Sequence, residues 1–367
     1  MKILHIIAAP AAGGAEVYVK DLVNNSAHFG ITPFLLFISH AIDIGRCEVY
    51  EKQFLNELTE NGVEFSFLPA GSRRNIIKGS LGFKKLIKGI KPDLIHSHLL
   101  TGVVHKVISF SSIPLIYTHH NSVINTNTLL FRLLLSFCKG HIGISKICSD
   151  ILQKYLPSNK KVTTIFNAVD LKRLNISEKR ILDKHQINLL AVGSLTSQKN
   201  YPLMINAIKL LKENSSQKFH LNIAGEGDKK SELLKLVSDL NLIDTISFLG
   251  NRSDIPQLMS ESDLFIMSSD WEGLPISLIE AQLIGLPSIV TDVGGCSEVI
   301  TQTSGGILIN KGDKVKLSEQ IESLFDYAAR VNFAEKAKLN ASCYEINASI
   351  ESHQKYYSYF IPNGKIN

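Results

Sequence analysis

Two doubly wound, Rossmann-like α/β domains are the fold class that the sequence predicts, and three observations carry it. The chain has 367 residues, beyond the size at which a single core usually stops growing. Short β-branched runs alternate with amphipathic segments along most of it. Those runs are apolar almost throughout rather than at every second position, as in parallel strands buried on both faces. Twelve such runs exceed one comfortable sheet, so two sheets follow.

In order, the predicted strands of the first half are KILHIIA (2–8), TPFLLFI (32–38), VEFSFL (63–68), DLIHS (93–97), PLIYT (114–118) and HIGIS (141–145). The second half repeats the theme with INLLAVG (187–193), KFHLNIAG (218–225), TISFLG (245–250), DLFIMS (263–268), PSIVTD (287–292) and GGILI (305–309). The charged stretch 168–186 lacks strand character and marks the join. After Asp313 only helical patterns remain. The expected domains are therefore 1–168 and 169–344, with a final helix, about 345–367, packing back on the first.

Composition excludes several classes. A hydrophobic share of 44% and a charged share of 20% describe a globular protein. Five scattered cysteines without a CxxC pair fit a reducing cytoplasm and argue against a disulfide framework or a thiolate metal site. The start of the chain resembles a signal peptide only briefly. His5 and Pro10 interrupt the apolar run and no polar cleavage region follows, so it reads as a buried first strand. No stretch reaches about 18 uninterrupted apolar residues.

The net charge of +5 conceals an asymmetry: residues 1–165 carry 18 Lys/Arg against 10 Asp/Glu. The excess concentrates in GSRRNIIKGSLGFKKLIKGIK (71–91), with seven basic residues and no acid. Arg73, Arg74, Lys78, Lys84, Lys85 and Lys88 could meet a polyanion such as a bilayer rich in anionic lipid, or form a solvated helix face.

In open α/β sheets chemistry gathers where strands end in βα turns. The first such turn, AAPAAGGAE, sets Gly13 and Gly14 at a helix start, where free N–H groups can face an anion. It matches neither GxGxxG nor a P-loop. GSLTSQKN (193–200) places Lys199 just after a strand, able to counter a diphosphate as a point charge. WEGLP (271–275) follows another strand. Pro275 suits a first helical position, Glu272 stays in the loop, and Glu280 falls on the second helical turn among Ile276, Leu283 and Ile284. A carboxylate there is costly without a partner. A ligand diol is one candidate, since carboxylates accept paired hydroxyl donors; exposure of that helix face is the other. His96 and His98, then His119 and His120, cluster at two strand ends. No HExxH helix or carboxylate accompanies them, so a metal is not expected; hydrogen bonding to a polyhydroxylated substrate is.

Together these pieces resemble the retaining nucleotide-sugar glycosyltransferases of family 4 (group 1), of the GT-B fold. EGLPISLIEAQLIGLPSIVTDVGGCSEVI (272–300) fits the family's E-x7-E motif and its trailing G-x-P…GG…E pattern. GSLTSQKN, the 223–251 segment and SDLFIMSS align around it; GGAE, PDLIHSH, Thr118 to His120, GISK and FNAVD match more loosely. The resemblance implies two domains facing across a cleft. It gives Glu272 with the Gly273, Leu274, Pro275 and Ile276 backbone to the donor sugar, and Glu280 to the nucleotide ribose. Lys199 with Gly13 and Gly14 would neutralise the diphosphate, and Gly250 would face the base. His120 would contact the sugar near the reacting centre, with His98 and Asn121 on the acceptor side. No metal or other cofactor is implied, and nucleic acid is not an expected partner.

One departure stands out: Ser194 occupies a position where the family typically has arginine. A hydroxyl cannot replace a permanently charged bidentate clamp, and Arg252 is the candidate substitute. Ala168 replaces a glycine more mildly. The implied activity is transfer from a UDP- or GDP-sugar to a lipid-linked saccharide in bacterial surface-polysaccharide synthesis (O-antigen or capsule), at the cytoplasmic face of the plasma membrane. A nucleotide-sugar epimerase on the same architecture and a silent sugar-nucleotide-binding subunit are the alternatives.

Overall fold

The computed structural model describes residues 1–174 and 186–361. The chain forms two compact units: Met1–Ala168 together with the segment from Ile346, and Val169–Glu345. Most of the 168–186 join and the last six residues of the sequence lie outside the described residues.

The first unit holds a sheet of β1 (Lys2–Ile7), β2 (Thr32–Phe37), β3 (Glu64–Phe67), β4 (Leu94–Ser97), β5 (Leu115–His119), β6 (Gly140–Gly143) and β7 (Thr163–Thr164). Its spatial order is β3-β2-β1-β4-β5-β6-β7, and every pairing is parallel. The second contains β8 (Gln186–Val192), β9 (Lys218–Ala224), β10 (Ile246–Gly250), β11 (Leu264–Met267), β12 (Ser288–Thr291) and β13 (Gly306–Ile309). Its order is β10-β9-β8-β11-β12-β13, again all parallel. All twelve expected strands are present, each within two residues of its expected ends. The one missed, β7, is two residues long, too short to leave a pattern.

The apolar runs have the predicted cause. β4, β5, β6, β11 and β12 are buried at every residue, because helices cover both faces of each sheet. In the first unit the core packs Leu4, Ile6, Leu36 and Ile95 against Phe83, Val103 and Phe131 of the covering helices. The final helix, Ile346–Ser358, lies against the first, Gly14–Asn25. Tyr18 and Ser349 join the two through a 2.8 Å hydroxyl–hydroxyl bond, and both are buried. No described helix is long and apolar enough to cross a membrane.

Strand order reverses at one place in each sheet, between β1 and β4 and between β8 and β11. A reversal splays the neighbouring βα turns apart and opens a crevice beyond the strand ends. Both switch points carry the residues that matter below.

Candidate active site

At the switch point of the second unit, the loop after β8 meets the loop after β11. Lys199 ends a short 3-10 turn, Ser197–Lys199, and its Nζ donates to Glu272 Oε1 at 2.5 Å. Ser269 Oγ donates to the same oxygen at 2.7 Å, and Gln198 Nε2 donates to Trp271 O at 2.9 Å. Glu272 is only 5% exposed, so its charge depends on these donors. Sequence reasoning paired neither Lys199 with Glu272 nor Ser269 with either.

Glu280 has the same arrangement. It is buried in the Ile276–Leu283 helix, and Arg173 Nη1 donates to its Oε1 at 2.6 Å. The expectation that a ligand supplies the partner therefore needs correcting. A protein guanidinium from the short Leu171–Leu174 helix, 107 residues away in sequence, already neutralises it. A ribose at Glu280 would share the carboxylate with Arg173. Asp270 completes the pattern, accepting from Asn200 Nδ2 at 2.9 Å with Lys311 Nζ at 3.6 Å. Each acid of the 270–280 stretch thus faces a cation.

Pro275 is the N-cap rather than the first helical residue, with extended backbone, and the helix opens at Ile276. Amides of that first turn have no intrahelical acceptor, which keeps donors beside Glu272. Arg252 is exposed and bound by Asp254 of its own loop, Nε to Oδ1 at 2.7 Å. Its charge is answered locally, so serving as the clamp in place of Ser194 would mean giving up a weak, exposed ion pair. Gly13 is the N-cap of Gly14–Asn25, but Glu16 folds back over it; a Cβ at Gly13 would collide with Glu16 Oε2. The helix start taken for a diphosphate seat already holds a carboxylate.

Two glycine pairs explain spacing that sequence could only match. Gly294 has φ +51, and a Cβ on it would strike Glu272 O; one on Gly295 would strike Gly273 O, which accepts from Gly295 N at 3.1 Å. The trailing GG therefore lets one backbone lie on another and fixes the Glu272 loop. At the ends of β8 and β9, a Cβ on Gly225 would overlap Gly193 O, and Gly225 N donates to Gly250 O at 2.8 Å. Gly250, set against the base by resemblance, thus belongs to a bare backbone strip beside Ser194.

In the first unit, register puts His5 of β1 opposite His96 of β4, and His98 N donates to Ile6 O at 3.0 Å. His5 Nδ1 and His98 Nε2 lie 3.2 Å apart, and His98 Nδ1 and His120 Nε2 lie 2.9 Å apart. His96 spends both ring nitrogens, on Tyr357 OH at 2.7 Å and Thr118 Oγ1 at 2.6 Å. The ring of His353, on the last helix, lies tilted against His96 with the centroids 5.6 Å apart. Burial, then neighbouring imidazoles, push His5 and His120 down to about 3, and burial pushes His353 down to about 4. His96 and His98 are lowered for the same reasons. A neutral imidazole has one N–H and one bare nitrogen, so the His5–His98–His120 run is a directed relay that orients His120 from the core. His5, His96 and His98 could bring three nitrogens to one ion. Doing so would cost His96 one of its two bonds. Asn121 Oδ1 accepts from Val123 N at 3.3 Å, a local turn contact.

These histidines set an acid limit. Their folded values fall below the ordinary 6.5, so the unfolded chain binds protons that the folded chain refuses. Stability is fully present above pH about 6.5 and falls as the pH drops toward 4. Each refused proton adds a slope of up to about 1.4 kcal/mol per pH unit. Denaturant melts at pH 7 and 5 should differ, and His5→Asn should flatten that difference.

Arg73, Arg74, Lys78, Lys84, Lys85 and Lys88 are all exposed, the last four on the Ile76–Ile90 helix.

Two sequence profiles match the chain: Glycosyltransferase Family 4 over residues 12–173, and Glycosyl transferases group 1 over 172–340. The chain belongs to the family 4, group 1 glycosyltransferases. Like other members of the family, it is a sugar transferase on two parallel-stranded α/β sheets of GT-B type. It is 27% identical to the Escherichia coli UDP-Gal:alpha-D-GlcNAc-diphosphoundecaprenol alpha-1,3-galactosyltransferase, covering 82% of this chain and 84% of that one. With the Bacillus anthracis N-acetyl-alpha-D-glucosaminyl L-malate synthase it shares 23% identity over 91% and 90%. Among solved structures, Anabaena HepE in complex with UDP and glucose superposes with a TM-score of 0.81 at 19% identity, over 98% of this chain and 99% of that one.

Proposed function

We propose that this glycosyltransferase moves a sugar, with retention at the anomeric carbon, from a UDP- or GDP-sugar to a hydroxyl of a lipid-linked saccharide in bacterial surface-polysaccharide synthesis. The observation that carries it is the Lys199–Glu272–Ser269 constellation at the β8/β11 switch point. There an acid suited to sugar hydroxyls and a cation suited to phosphate stand in direct contact. The Escherichia coli relative's diphosphoundecaprenol acceptor supports the lipid-linked part of the reading. So does the Campylobacter jejuni N-acetylgalactosaminyltransferase, 29% identical over 58% of this chain and 56% of that one, named for a diphospho-undecaprenol acceptor.

In the proposed reaction the bond from the anomeric carbon to the diphosphate oxygen breaks and the bond to the acceptor oxygen forms. The acceptor's proton passes to the departing phosphate oxygen. Charge grows on the diphosphate, and Lys199 exchanges part of its contact with Glu272 for that charge. Preorganised electrostatics and alignment are then the main catalytic terms. Glu280 and Arg173 hold the ribose end, His120 the sugar and Asn121 the acceptor side; His98, whose two ring nitrogens face His5 and His120, acts by orienting His120 rather than by touching the acceptor. No metal is required, so EDTA should leave turnover unchanged.

Screening UDP- and GDP-sugars against polyprenyl-diphosphate-linked saccharides, with NMR of the product anomer, tests the reading. An inverted linkage, or isomerised donor without transfer, would overturn it. Because Arg252 is engaged by Asp254, Ser194→Arg should raise kcat by about 10-fold, recovering part of what one missing anion donor costs. Unchanged turnover would mean that another group already fills that role.

A further inference from the structure

A polar atom left without a partner in a protein core is costly, so buried imidazoles ordinarily spend both ring nitrogens. The cluster at the switch point of the first unit breaks that rule three times. His5 Nε2, His120 Nδ1 and His353 Nε2 are all buried and have no hydrogen-bond partner. His5 and His353 are each 1% exposed. His353 Nδ1 donates to Ser349 O at 2.8 Å, so in the neutral ring its Nε2 is a bare lone pair.

These rings have the spacing of a metal site. One ligand nitrogen from each of His5, His96 and His98 lies within 4.8 Å of the others. His5 Nδ1 and His98 Nε2 stand 3.2 Å apart. Two nitrogens bound to a tetrahedral zinc, each about 2.0–2.1 Å from it, lie about 3.4 Å from one another. Metal-bound histidines usually donate their other ring N–H to a carboxylate, a backbone carbonyl or water. His353 already does so at Ser349 O, and His98 has His120 Nε2 at 2.9 Å. His96 keeps one hydroxyl, of Thr118 or Tyr357, when it yields the other. An all-imidazole set suits zinc and its neighbours rather than magnesium or calcium, which prefer oxygen. His98, 8% exposed, and His120 stand just past the ends of β4 and β5 and form the open end of the cluster. The HxH and HH spacings carry no sign of the site, because His5 and His353 arrive from β1 and the last helix.

We propose that His5, His96, His98 and His353 form an inhibitory site for zinc or a similar divalent ion, coupled to the sugar site through the His98–His120 contact. When His98 Nε2 binds the ion, its proton must sit on Nδ1 and point at His120 Nε2. His120 is then held in the Nδ1–H form, and a double positive charge stands two rings from the sugar. Positive charge develops on that sugar as the diphosphate leaves, so transfer slows. The ion is an inhibitor and not a cofactor: the metal-free enzyme is the active form. The inhibitory half rests on the reading that His120 contacts the sugar; the binding half does not.

Titration of untagged, metal-free protein with Zn2+, followed by equilibrium dialysis, thermal melts and X-ray absorption, tests both halves. One ion should bind, raise the melting temperature, and show at least three imidazole nitrogens at about 2.0 Å. His5→Asn and His353→Leu should each weaken binding by at least about 10-fold. Mg2+ should not compete. Zn2+ should lower wild-type kcat by at least about 10-fold, reversibly with EDTA, while His353→Leu keeps its own metal-free rate at the same Zn2+ concentration. No binding, equal affinity in both variants, or a shell of one imidazole and water, as exposed His40 would give, would overturn the site. The shell is read on wild-type protein, so it decides the matter even if a variant does not fold. Binding without inhibition would overturn the coupling to His120. Absence of transfer in the metal-free enzyme would instead count against the transferase reading.

Discussion

Glu272→Gln should lower sugar transfer by about 10²–10³-fold while nucleotide binding holds or tightens. The direction follows from the contacts. Glu272 accepts from both Lys199 and Ser269 through one oxygen, and its loop is pinned from below by Gly294 and Gly295. The amide keeps the shape and the neutral hydrogen bonding, so the loop should stay in place. What disappears is the charge that holds the Lys199 ammonium when no donor is bound. Lys199 is then free for phosphate, and isothermal titration with UDP or GDP should report equal or stronger affinity. Loss of kcat with retained affinity would place Glu272 on the reacting sugar. Equal kcat in both proteins would remove it from the site.

Arg173→Ala should destabilise the second unit by about 3 kcal/mol, the scale of breaking a buried ion pair with one partner partly open to water. It leaves the Glu280 carboxylate, 6% exposed in its side chain, without its cation in a helix packed on the core. Thermal melts should show a drop of several degrees, and Arg173→Ala/Glu280→Gln should recover much of it, because the neutral amide needs no counter-charge. Additive losses in that double-mutant cycle would show that the two groups are not energetically coupled. Nucleotide affinity should fall in both single variants, since a ribose would be held by a carboxylate whose position Arg173 fixes.

Where the sequence sufficed and where it failed divides along local and non-local physics. Strand positions were legible because burial on both faces of a parallel sheet demands continuous apolar runs, a property of consecutive residues. Near-contiguous motifs were legible for the same reason: the loop place of Glu272, the helical place of Glu280 and the strand-end place of Lys199 each depend on a few neighbours. Pairings were not. Arg173 meets Glu280 across 107 residues, and His96 meets Tyr357 across 261. No periodicity encodes such encounters, so a carboxylate that sequence left looking for a ligand had found a guanidinium. The histidine cluster belongs to the same class: imidazoles from β1, the β4 end and the last helix meet only once the sheet and that helix have packed. Sequence alone determined the fold class and the composition of each strand end. Only the tertiary structure decided which charges neutralise one another, because Coulombic partners are chosen by proximity in space and desolvation, not by separation along the chain.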